Sequence, residues 1–287
     1  MASAPTGVTV TTLELTVDRD APLLVVGPSL GTSVESLWSP CARLLSGRFH
    51  VVGWDLPGHG SNPSIPATGL SIAELAAAVA AAVGELLVAR GRPEGPFGYA
   101  GDSVGGAVGL QLLLDHPDLV SSAVLVCTGA RIGTPAGWRE RAENVRQGGT
   151  AAVLAGSLER WFAPGFTHRH DETTRAFTRA LLGTHPSGYA AVCAALERFD
   201  VTDRLHEIAQ PVLAVAGEHD VSTPPASLET IARGVRRGRL VVLPDVAHLA
   251  PSEDPVALAE LISAHVAATP VARVTTRSEP SNIDRTN

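Results

Sequence analysis

Residues 97–109 read FGYAGDSVGGAVG. Five glycines and one serine fall where an apolar strand runs into an apolar helix. Glycine weakens the interior of either element by roughly 0.5–1 kcal/mol, so this concentration needs a reason. Gly101-Asp102-Ser103-Val104-Gly105 fits G-x-S-x-G, a strand–turn–helix corner that exposes a strained serine and tolerates only small neighbours. A tight turn with a capping serine accounts for the same pentapeptide, so the choice between the two rests on what surrounds it.

On either side lie short β-branched runs closed by Gly or Pro: PLLVVG (22–27), FHVVGWDL (49–56), SSAVLVCTG (121–129), PVLAVAGEHD (211–220) and RLVVLPDVAH (239–248). Together with a strand over about 96–101 they read as strands buried on both faces. Helical segments separate them. One opens on the capping box Ser71/Glu74 and stops at Gly91; one spans 104–115; the last has Asp254 as N-cap, Pro255 at N1 and runs to about Ala267. Strand and helix in alternation predict an α/β fold with a mostly parallel, doubly wound sheet. The leading VTVTTLELTV alternates like an exposed-edge strand pair. Between 133 and 202 strand runs vanish and Trp, charge and helix formers rise, as in GWRERAENVRQGG and LERWFAPGF. The expected organisation is a core from 1–132 and 203–268, a helical cap from 133–202, and a disordered tail over 269–287.

Composition narrows the function. Of 287 residues 45% are hydrophobic and 18% charged, enough for a sizeable core. A formal charge of −7 argues against a nucleic-acid surface, and the one basic run, VRRGR at 235–239, reads as a solvated helix end. Cys41, Cys127 and Cys193 lie far apart with no metal-binding spacing, as suits a reducing compartment. No basic-then-apolar leader opens the chain. The alanine-rich LAAAVAAAVGELLVA is broken by Gly84 and Glu85 and reads as a soluble helix rather than a membrane span. The expectation is a cytoplasmic protein without membrane or nucleic-acid partners.

A serine hydroxyl needs a base, itself oriented by a carboxylate, to act as a nucleophile. Asp220 falls just past the end of one predicted strand and His248 just past the next, where open parallel sheets collect catalytic groups. The order Ser103, Asp220, His248 suits a nucleophile on such a corner. His219 lies on the same turn as Asp220, Asp245 suits a local hydrogen bond, and Asp102 is expected beside the site or facing solvent. His59 reads as a loop histidine bonded to backbone. An oxyanion needs two donors. The Val104 N–H at a helix start is one, and the Leu30 N–H, in the loop expected after the third strand, is the other. An ordinary Gly/Pro turn accounts for that loop equally.

GPSLGTSVESLW, GWDLPGHGSNP, GDSVGG, AGEHDVSTP and VAHLAPSEDP resemble the motif blocks of α/β-hydrolases. The segments GARIGTPAGWRERAENVRQGG, LERWFAPGF and HPSGYAAVCAALERFD resemble the cap of 3-oxoadipate enol-lactonases, over roughly Pro22 to Val266. Asp102 and the DLPGHG loop depart from the usual pattern. The resemblance implies hydrolysis of 3-oxoadipate enol-lactone in aromatic catabolism through Ser103, His248 and Asp220, with no metal or organic cofactor. A small-molecule lactone or ester bearing a carboxylate implies a cation from Arg131, Arg141 or Arg160 and an apolar wall from Trp138 and Trp161. Each arginine suits a helix surface equally, and each Trp suits core packing. Rivals on the same frame are a carboxylesterase, a perhydrolase or a C–C bond hydrolase; a binding module without catalysis is the rival outside it.

Overall fold

The computed structural model describes residues 7–66, 69–91 and 95–267; the tail expected to be disordered lies outside them. In chain order the first half comprises β1 (Thr11–Glu14), β2 (Leu23–Gly27), α1 (Val34–Leu45), β3 (His50–Asp55), α2 (Ile72–Ala89), β4 (Phe97–Asp102), α3 (Val104–Asp115) and β5 (Val120–Val126). Five helices follow without a strand: α4 (Pro135–Gly148), α5 (Leu154–Trp161), α6 (Phe166–Arg169), α7 (Asp171–Gly183) and α8 (Pro186–Glu197). The chain closes with β6 (Pro211–Gly217), α9 (Pro225–Gly234), β7 (Arg237–Leu243), α10 (Ala250–Glu253) and α11 (Pro255–Ala267).

The seven strands form one sheet in the order β1-β3-β2-β4-β5-β6-β7, parallel except for β1, which runs antiparallel to β3. Every residue of β2, β3 and β4 is buried, which is why these strands are apolar without alternation. The chain steps from β2 outward to β3, then crosses back past β2 to β4. Right-handed crossovers set the two connections on opposite faces of the sheet. Accordingly α1 packs with α11, and α2 packs with α3. The reversal opens a crevice between the carboxyl ends of β2 and β4, where open sheets bind ligands. Ser103 follows β4 and Leu30 follows β2, so both stand at that crevice.

Three local expectations change. The N-terminal alternation yields one short strand rather than a pair: Thr11–Glu14 pairs with β3 through its backbone, with every residue only part-buried or exposed. The loop carrying Leu30 therefore follows the second strand, not the third. VRRGR is no helix end, because α9 stops at Gly234 and β7 begins at Arg237. Elsewhere local rules hold. Ser71 and Glu74 form the reciprocal capping box, and Asp254 Oδ1 accepts the Ala257 N–H at 3.0 Å. Ile72–Ala89 is long and apolar enough to cross a membrane by length and composition alone; it turns Leu75, Val79, Val83 and Leu87 into the core.

Candidate active site

The corner at Ser103 is held from several sides. Ser103 has φ +53° and ψ −115°, a conformation that costs a non-glycine residue about 1–3 kcal/mol. Its N–H donates to Val126 O at 2.9 Å, and its carbonyl accepts from Ala107 N and from Thr128 Oγ1 at 2.6 Å. Two glycines make the corner sterically possible. A Cβ on Gly101 would stand 2.4 Å from Gly105 O, and one on Gly105 would stand 2.5 Å from the Gly27 backbone. Tyr99 Oη donates to Gly105 O at 2.7 Å and binds the turn to its own strand.

The three groups expected to act together are within hydrogen-bond reach. His248 Nδ1 donates to Asp220 Oδ2 at 2.8 Å, which leaves Nε2, 2.9 Å away, to accept from the Ser103 hydroxyl. All three side chains are buried. Burial pushes the Asp220 carboxyl up, but the neighbouring His248 and the Thr223 donors outweigh it, and its pKa lies below the ordinary carboxylate value. Thr223 donates both N–H and Oγ1 to Asp220, and the Ser222 N–H adds a third donor. Sequence reasoning missed Thr223. The Asp-x-x-Thr spacing of an aspartate turn was the available signal.

The Val104 amide sits at the first position of α3, where a backbone N–H has no partner within its helix and the helix dipole favours negative charge. Leu30 is buried at the cavity. Among the described residues neither amide donates to a protein acceptor. The loop bearing Leu30 is fastened at both ends: Gly105 N donates to Pro28 O at 2.9 Å, Trp38 Nε1 to Gly27 O at 2.8 Å, and Val34 N to Asp55 Oδ1 at 2.7 Å.

Ser103 and His248 open into a cavity of about 540 Å³ between the sheet and helices α4 and α5. Trp138, Arg141, Arg160 and Trp161 all line it. Trp138 is half-buried and donates Nε1–H to Ile132 O at 2.6 Å, while Trp161 is buried. Arg141 donates to Tyr189 Oη at 2.7 Å and to Ser157 Oγ at 2.9 Å, with its guanidinium over both the Trp138 and Tyr189 rings. Arg160 has no hydrogen-bond or ion-pair partner among the described residues. Partial burial, and then the charge of Arg141, hold its pKa below the ordinary value. Two cations sharing a cavity wall make a site for an anion. Arg131 does not join them: it is exposed and outside the cavity, because the turn at Gly129–Gly133 ahead of α4 directs it to solvent.

Asp102 does not face solvent. It is fully buried, and neither carboxylate oxygen has a hydrogen-bond partner among the described residues. Burial raises its pKa well above the ordinary value; the charge of Asp220 adds to this, the Ser29 hydroxyl, near it but outside hydrogen-bond geometry, offsets part of it, and Glu253 adds a little more. His59 donates Nδ1–H to Pro57 O over 2.9 Å and stacks on Tyr189; burial brings its pKa down to about 4. Glu218, His219 and Asp245 bring their ligand atoms within 4.8 Å of one another beside the Asp220 loop, but all three are exposed.

A family model described as alpha/beta hydrolase fold matches residues 22–255. A 3-oxoadipate enol-lactonase of Acinetobacter baylyi is 30% identical over 245 residues, spanning 85% of this chain and 88% of the relative. The structure of an enol-lactonase from Burkholderia xenovorans superimposes with a TM-score of 0.84 at 28% identity, covering 92% of this chain and 99% of that one. A thermophilic esterase of Thermogutta terrifontis, solved with malate bound, gives a TM-score of 0.79 at 25% identity over 90% of this chain and 93% of its own.

Proposed function

The chain belongs to the α/β-hydrolase family, and we propose that within it the protein opens 3-oxoadipate enol-lactone to 3-oxoadipate in the cytoplasm. The observation that carries this reading is the hydrogen-bonded line Asp220–His248–Ser103 ending in a cavity walled by Arg141, Arg160 and two tryptophans. The likeness to enol-lactonases supports it. So does the chemistry of the wall, since a lactone bearing a free carboxylate matches an unpartnered Arg160 better than a neutral ester does.

In the proposed mechanism His248 Nε2 takes the Ser103 proton as Oγ attacks the lactone carbonyl. The Leu30 and Val104 N–H groups hold the tetrahedral oxyanion. Asp220, kept ionised, stabilises the imidazolium and fixes its tautomer. Collapse of the intermediate breaks the ring C–O bond and expels an enolate, a weaker base than an alkoxide, which takes its proton from His248 and tautomerises to the ketone. Water deprotonated by His248 then attacks the Ser103 acyl ester and releases the second carboxylate, restoring the hydroxyl. Helices within 133–202 act as a cap over the core formed by 1–132 and 203–268. Trp138 and Trp161 hold the ring, and Arg160 with Arg141 holds the carboxylate.

The test is hydrolysis of the enol-lactone, followed by loss of its ultraviolet absorbance, beside p-nitrophenyl acetate. The enol-lactone should have the higher kcat/KM, and Ser103→Ala should lower kcat on it by several orders of magnitude. Equal or better turnover of the simple ester would sink the lactonase reading; retained activity in the alanine variant would sink the mechanism.

A further inference from the structure

Glu253 ends the short helix α10, which packs on α1. Its side chain turns inward and accepts two backbone N–H groups from places distant in sequence: Oε1 takes that of Ala247 at 2.9 Å, and Oε2 that of Ala163 at 2.7 Å. Ala247 immediately precedes His248, and Ala163 lies two residues beyond Trp161 in the cavity wall. The same two strands of chain are joined again without Glu253, because Trp161 O accepts from His248 N at 3.1 Å and Leu249 N at 3.2 Å. One carboxylate thus clasps the loop of the catalytic histidine to the segment that carries the wall of the cavity.

We propose that Glu253 is a positioning residue whose ionised carboxylate holds His248 in line with Ser103 by tying its loop to the Trp161–Ala163 segment. The inference rests on His248 being the base of the proposed hydrolysis. An ionised carboxylate accepts at both oxygens, whereas the protonated acid turns one of them into a donor and faces an N–H with an O–H. Protonation therefore removes one of the two ties. Burial raises the Glu253 pKa to about 7, with the Ala163, Ala247 and Leu249 N–H groups and then His248 acting against the rise. The clasp is accordingly complete above pH 7 and weakened below it.

The charged groups facing Glu253 are few. From the loop after β7 there is His248, and from the end of β4 there is Asp102. Asp254 beside it is engaged in capping α11. The 161–163 segment presents a backbone N–H and apolar side chains. No arginine or lysine takes up the carboxylate among the described residues; its hydrogen-bond partners are the Ala163 and Ala247 amides, with the Leu249 N–H close by.

Glu253→Gln is the isostere of the protonated acid, and the rate of Ser103 labelling by a fluorophosphonate reports the alignment of the base without any assumption about substrate. The ratio of wild-type to E253Q labelling rates should be near one at pH 5.5 and climb to about ten-fold at pH 8.5, the loss expected for one hydrogen bond to a charged acceptor, with its midpoint near 7. A ratio independent of pH, whatever its size, means a merely structural glutamate and overturns the inference. Wild-type protein that folds but does not label at all removes the proposed function and this inference with it, which separates the two failures. Should E253Q not fold, the Ala163 and Ala247 amide proton resonances of the wild type should shift together with the His248 Nδ1 proton through one transition with midpoint near 7. A transition near 7 that leaves the Ala163 amide or the His248 Nδ1 proton unmoved overturns the proposal.

Discussion

Asp102→Asn tests the reading of the buried carboxyl beside Ser103. The wild-type group is fully buried, has no hydrogen-bonded donor among the described residues and faces the negative Asp220, so the folded state keeps it protonated at pH values where the unfolded chain has released the proton. A carboxyl whose folded pKa is raised makes folding less favourable as pH climbs above its unfolded value near 4, because the native state then binds one proton more than the unfolded state. The slope for one proton is about 1.4 kcal/mol per pH unit, until the folded group itself ionises. Asparagine has the shape of the protonated acid and cannot ionise, so D102N lacks this term. Whatever fixed penalty its amide incurs in the apolar site is the same at every pH. From pH 5 upward the stability of D102N relative to wild type should therefore rise at that slope for as long as the folded Asp102 stays protonated. For a chain of this size each kcal/mol moves the melting temperatures apart by about 2–4 °C. Thermal unfolding of both proteins by circular dichroism at half-unit steps from pH 5 to 8 measures it. A gap that stays constant, or that moves in favour of wild type as pH rises, refutes a neutral Asp102. Labelling of Ser103 in D102N should remain within a few-fold of wild type at pH 7, since no hydrogen bond of the Ser103–His248–Asp220 line is touched.

Three further substitutions probe the frame and the cavity. Gly105→Ala drives a Cβ to 2.5 Å from the Gly27 backbone, where no side chain can give way. It should cost at least about 3 kcal/mol, the upper part of the overpacking range, and shift the Leu30 loop; a denaturant midpoint within experimental error of wild type would contradict the close approach of α3 to β2. Arg160→Met keeps the stem and removes the charge, so KM for a carboxylated lactone should rise by about ten- to hundred-fold, while KM for a neutral ester stays put; an equal change on both substrates excludes the carboxylate contact. Asp55→Asn breaks a carboxylate that accepts from Val34 N, Ser61 N and Ser61 Oγ, and should lower stability by about 2–3 kcal/mol in urea titration; no change would mean these bonds are replaced by water.

Local pattern made much of this molecule legible. Apolar β-branched runs closed by Gly or Pro named six of the seven strands, since burial on both faces leaves no polar alternation and the chemistry is written in consecutive residues. Caps at Ser71 and Asp254 were equally readable, because each acts within four residues of itself. The N-terminal alternation was ambiguous about length. An edge strand exists only as far as its neighbour β3 offers bonds, and here that pairing covers four residues.

For the site, sequence alone marked Ser103, Asp220 and His248, because a parallel sheet sends the ends of its strands to one edge whatever the side chains. It also narrowed the cavity wall to a helical stretch holding Trp138 and Trp161. Which arginines face the cavity was a matter for tertiary structure: the Gly129–Gly133 turn leaves Arg131 in solvent while α4 and α5 bring Arg141 and Arg160 to one wall. The burial of Asp102 depends on what covers the end of β4, and the clasp of Glu253 spans 90 positions to Ala163. Properties carried by consecutive residues were therefore determined by the sequence alone. Burial, charge proximity and bonds between distant segments arise only when those segments pack, and so only the folded chain decided them.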